Sequence, residues 1–98
     1  MTATIQVNGD GQFSLVGDIN FYIVPELYKR GCQLISASSQ SIFDFRTVVS
    51  SDNAGLTLLV SWARYARNIN RKIQYINLPQ RLFDIIKASN LENILPIA

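Results

Sequence analysis

The sequence contains no histidine, and its only cysteine is Cys32. Without histidine the chain lacks both the commonest general base near neutral pH and the commonest metal ligand, and one cysteine cannot assemble a zinc site. No intramolecular disulfide can form, so the lone thiol reads as a small apolar residue in a reducing compartment. No apolar run approaches the length of a membrane span, and Met1 to Asp10 lacks the basic start and apolar stretch of a secretory signal. A cytoplasmic location is therefore expected, with any membrane association made through a partner. No glycine-rich phosphate loop is present, because Gly9 and Gly11 belong to a hairpin turn, and no cofactor is expected.

What is there is enough apolar material for one core. The chain has 98 residues, of which 48% are hydrophobic and 16% charged, and residues 1–98 are expected to form one domain. A net charge of +2 is mildly basic, yet the only cationic cluster is Arg64, Arg67, Arg71 and Lys72. It falls at the end of a predicted helix, where cations complement the negative pole of the dipole, so a structural role is expected rather than nucleic-acid binding.

Thr4 to Val7 alternates polar and apolar side chains, Asn8-Gly9-Asp10-Gly11 supplies a turn, and Gln12 to Val16 resumes the extended pattern. This predicts a hairpin, broken at Gly17-Asp18-Ile19-Asn20. Val24, Leu27, Leu34 and Ile35 recur near a helical period, which predicts a first helix ending before Ser36. Ser41 to Phe45 reads as a short central strand covered on both faces, as in parallel sheets flanked by helices. Ser50-Ser51-Asp52-Asn53 then offers capping side chains for the longest helix, Asn53 to Ile69. Its Leu56, Leu58, Leu59, Trp62, Ala63, Ala66 and Ile69 form an apolar side, with Trp62 and the bordering Tyr65 expected in the core. Thr57, Ser61, Arg64 and Asn68 form the polar side. Lys72 to Ile76 predicts a last strand, Asn77-Leu78-Pro79 opens a third helix, and Leu91 to Leu95 closes the chain. The order ββαβαβα predicts an α/β fold: a mixed, mostly parallel sheet of about four strands with helices packed on it.

That order, with Gly17-Asp18-Ile19-Asn20 after the second strand, Asp44 on the central strand and Asp52-Asn53-Ala54-Gly55-Leu56 at the next helix start, resembles the STAS (SpoIIAA-like) family. The run continuing through Leu58-Leu59, together with Leu91-Glu92-Asn93-Ile94-Leu95-Pro96, is most similar to its MlaB branch, the STAS subunits of Mla phospholipid-transport ABC systems. The resemblance implies a non-enzymatic subunit that binds the ATPase of an ABC transporter. It also implies a partner-binding site at Tyr28, Asp52, Asn53, Ala54, Gly55, Thr57, Ser61 and Arg64, with Gly55 letting another backbone approach and Tyr28 near the same corner. Anti-sigma-factor antagonists, the other branch considered, are switched by phosphorylation in this segment, and Asn53 has no hydroxyl to accept phosphate. Asp18, Asp44 and Asp52 could in principle pair for acid–base catalysis. With no histidine and no nucleophile beside a base, capping of backbone groups is the expected role of these acids.

Overall fold

The computed structural model describes all 98 residues. Strands β1 (Thr4–Gly9) and β2 (Gln12–Ile19) form the antiparallel hairpin, followed by α1 (Val24–Ala37), β3 (Gln40–Ser51), α2 (Asn53–Asn68), β4 (Lys72–Ile76) and α3 (Gln80–Ala88). The sheet order is β1-β2-β3-β4, with β2, β3 and β4 parallel. Because both parallel crossovers step in the same direction along the sheet, right-handed connections put α1 and α2 on the same face.

The burial pattern agrees. On β2, Phe13, Leu15 and Ile19 are buried while Ser14, Val16 and Asp18 between them are only half-buried. The expected two-sided cover of the central strand is therefore not found: β3 is interior to the sheet, but Ile42 and Asp44 face the side that carries no helix. Helices and the covered face share one core of 20 buried residues. At its centre the Trp62 ring stacks on Phe43, with centroids 4.6 Å apart, and the Tyr75 hydroxyl donates to the Leu59 carbonyl at 2.7 Å. Burial pushes the Tyr75 phenol well above its ordinary range, so it stays protonated as that donor.

Two strands run further than the sequence pattern suggests, for one shared reason. Between Ser14/Val16 and Gly17/Asp18 the β2–β3 register slips twice, so the buried positions of β3 fall at Ser41, Phe43, Phe45, Val48 and Ser51 rather than in strict alternation throughout. Bulges of this kind leave backbone groups outside the ladder. Here polar side chains satisfy them: Asp44 accepts from the Arg46 amide at 2.8 Å, and the Thr47 hydroxyl donates to the Leu15 carbonyl at 2.9 Å. Gly17, at φ +108°, lets β2 pass through its bulge instead of ending there. The chain finishes as a tail along the outer edge of β4, where the Tyr75 amide donates to Pro96 and the Ala98 amide donates to Tyr75.

Candidate docking site

The bulged strand β3 delivers the chain directly into α2, with a single residue between them. That residue, Asp52, is the N-cap: its carboxylate accepts from the Ala54 amide at 2.8 Å, satisfying one of the free donors of the first turn. Asp52 and Asn53 are both exposed, and the hydroxyl of Thr57 donates to the Asn53 carbonyl at 3.1 Å. Ala54 and Gly55, by contrast, are buried. A Cβ on Gly55 would collide with the Ser51 hydroxyl and lie 3.0 Å from a Leu82 methyl. What Gly55 admits is thus the chain's own side chains, Ser51 at the end of β3 and Leu82 on α3, and Ala54 and Gly55 seat the corner from behind rather than present it. The Ser51 hydroxyl wedged there is buried without a hydrogen-bond partner.

From this corner Thr57, Ser61 and Arg64 continue as one stripe along α2. The Ser61 hydroxyl donates back to Thr57, and Arg64 is exposed. Tyr28 is elsewhere. Its ring meets Tyr65 edge-on at 6.5 Å and its carbonyl accepts from the Trp62 indole, placing it in the α1–α2 seam. That is about three helical turns along α2 from Asp52, at 3.6 residues per turn, so Tyr28 does not share the corner. The offset is set by Gly31, which lies directly against the Trp62 ring and fixes how α1 crosses α2. The Cys32 contact and partial burial raise the Tyr28 phenol above its usual range, as burial does for the Cys32 thiol.

The remaining carboxylates do not assemble into a pair with Asp52. Asp18 binds the Met1 ammonium at 3.0 Å and the Ser50 hydroxyl at 2.9 Å, and the ammonium bond above all holds its carboxyl below the ordinary range. Asp44 takes the Arg46 amide and the Asn77 side-chain amide, the latter at 3.1 Å. Between the ends of β2 and β3 and the start of α3 lies an open cleft of about 520 Å³, bordered by Asp18, Val49, Ser50, Asp52, Pro79 and Arg81 among others. A second shallow cleft on the far side of Asp52 and Asn53 is bordered again by Arg81 and by Asp84.

The same rim carries residues that sequence reasoning passed over. Val49 is 77% exposed, and the turn leaving β2 presents Phe21 and Tyr22, the latter 91% exposed. An adjacent aromatic pair in a turn was the available signal for these two. Arg81 gave none, because only the packing of α3 beside α2 brings it to Asp52. Together they flank the polar corner with exposed apolar surface and one unpaired cation, the kind of surface composition found at protein interfaces.

Solved structures define the fold. The fold superposes on a chain of an Acinetobacter MlaFEDB complex in an ATP-bound conformation with a TM-score of 0.80, at 22% identity over 97% of this chain and 99% of that one. It superposes on the anti-sigma factor antagonist SpoIIAA in its unphosphorylated form with a TM-score of 0.73, at 14% identity over 98% and 87%. An anti-sigma factor antagonist from Mycobacterium paratuberculosis gives 0.73, at 15% identity over 97% and 82%. These likenesses show a SpoIIAA-like STAS fold. The family model described as Mlab, STAS domain matches residues 4–96, and the chain belongs to that family. At the level of sequence, no curated protein matches it. No helix is long and apolar enough to cross a membrane.

Proposed function

We propose that this chain is a non-catalytic, cytoplasmic STAS subunit, acting as one domain, that docks onto the ATPase of an MlaFEDB-like ABC transporter and regulates or stabilises it in phospholipid trafficking and outer-membrane lipid asymmetry. The observation that carries this reading is the family match over residues 4–96, which covers both the corner and the core behind it. The contact surface is Asp52 and Asn53 with the Thr57, Ser61 and Arg64 stripe, flanked by Val49, Phe21 and Tyr22. Ala54 and Gly55 support it from inside. Tyr28 contributes only through the α1–α2 seam that holds α2 in place.

Hydroxyl placement weighs against the anti-sigma antagonist reading, although such antagonists share the fold. Asn53, Ala54 and Gly55 have no hydroxyl, the Ser51 hydroxyl is buried, and Thr57 lies a turn away bonded to Asn53. Co-expression with the ABC ATPase encoded beside it tests the proposal. A stable complex that is weakened by Asn53→Arg is expected. Failure to co-purify, together with formation of phosphoprotein on incubation with an anti-sigma kinase, would move the chain to the antagonist class.

A further inference from the structure

The two ends of α2 carry different chemistry. Along the second half of the helix, from Val60 onward, a groove of about 600 Å³ opens between α2, the start of β4 and the C-terminal tail. Its lining holds only two kinds of side chain, aliphatic ones and the four cations Arg64, Arg67, Arg71 and Lys72. None of the chain's seven carboxylates borders it, whereas four of its nine lysines and arginines do. The only ion pair in the protein is Met1 with Asp18, so all four cations lack an anionic partner. The helix dipole accounts for Arg67, the basic residue of the last turn of α2. It does not account for Arg71 and Lys72, which lie past the helix, and the structural role expected for the whole cluster is too narrow.

The lining selects among partners. A nucleic acid would need aromatic or amide side chains to stack on or bond to bases, and none borders the groove. A peptide would need polar neutral groups for its backbone, and these are missing as well. A fully hydrated ion gains nothing from aliphatic walls. An anionic head joined to a hydrocarbon chain satisfies both halves of the lining, and the volume is within the range of roughly 300–1,000 Å³ typical of small-ligand sites.

We propose that this groove binds one molecule of an anionic amphiphile. Its phosphate or carboxylate head is held by Arg67, Arg71 and Lys72, and its chain lies against Ala63, Ile73 and Leu95. The groove begins at Val60, about 12 Å along α2 from Asp52 at 1.5 Å per residue, and Arg64 borders both it and the docking stripe.

The test is calorimetric titration of the full chain with dodecyl phosphate below its critical micelle concentration. Saturable binding of one molecule per chain is expected, with inorganic phosphate and the uncharged dodecyl maltoside each at least tenfold weaker. Arg67→Gln with Arg71→Gln should weaken binding at least tenfold, and so should Ala63→Phe, which fills the groove. Should either variant misfold, Lys72→Gln at an exposed position is expected to weaken binding several-fold in a folded chain. Absence of saturable binding would overturn the proposal. So would equal affinity for inorganic phosphate, equal competition by poly-glutamate, or binding to phosphatidylglycerol vesicles alone.

Discussion

Asp52 has two separable duties, and a pair of substitutions tells them apart. In Asp52→Ala the Ala54 amide loses its acceptor at the start of a 16-residue helix. Loss of such a cap costs about 1 kcal/mol, which for a chain of this size lowers the melting temperature by roughly 4–8 °C. Asp52→Ser keeps a side-chain acceptor and is expected to recover most of that loss. The carboxylate is also exposed at the proposed contact, where a hydrogen bond to a charged group contributes about 1.5–3 kcal/mol, or roughly ten- to a hundredfold in affinity. Thermal unfolding followed by circular dichroism reads the first duty, and calorimetric titration with the ATPase reads the second. Asp52→Ala should lose both, while Asp52→Ser should be stable but still bind poorly. If Asp52→Ser binds as tightly as the unsubstituted chain, Asp52 acts only by capping and the contact assignment is refuted.

Gly55→Ala should destabilise the chain by roughly 1–3 kcal/mol, because the new methyl meets the Ser51 hydroxyl and Leu82 in a closed space; urea unfolding measures it, and a neutral result would contradict the buried seat. Trp62→Ala should cost about 3–5 kcal/mol, since the indole is fully buried against Phe43 and Gly31, and chemical denaturation would show it. The folded Asp18 carboxyl titrates below its unfolded value, so the stability it supplies is complete above the unfolded value and is lost as pH falls through the carboxylate range. Acid unfolding should accordingly be less steep in Asp18→Asn, and identical acid limbs in the two proteins would remove that linkage.

The order of elements was legible because its signals are local: the Asn8–Gly11 turn, the 3.6-residue period of α2, and the capping run at Ser50–Asn53. The cap itself was readable for the same reason. What escaped depends on contacts between distant segments. Alternation along β3 is broken by two bulges, so the sequence pattern ends the strand at Phe45 although Arg46, Thr47 and Ser50 also lie in it. One-sided cover of the sheet follows from the direction of the crossovers, which no single segment reveals. The family resemblance puts Tyr28 near the corner, and the period of α1 offers no check on this, because the crossing of α1 over α2 is set by Gly31 against Trp62. Gly55 reads in sequence as a point where another backbone can come close, and what lies against it in the fold is the chain's own Ser51 and Leu82 side chains. The cationic cluster is visible as residues, but half of the aliphatic lining beside it comes from the tail, at Leu91, Ile94, Leu95 and Pro96.

Hydrogen exchange of the chain, free and bound to the ABC ATPase, bears most directly on the docking corner. Slower exchange confined to the turn after β2, the end of β3 and the contact stripe of α2, from Phe21 to Ile23, at Val49 and from Asn53 to Arg64, is the outcome that follows from this surface. Protection spread instead over the helix-free face of the sheet, around Ser14, Ile42 and Gln74, with the start of α2 unchanged, would place the interface elsewhere.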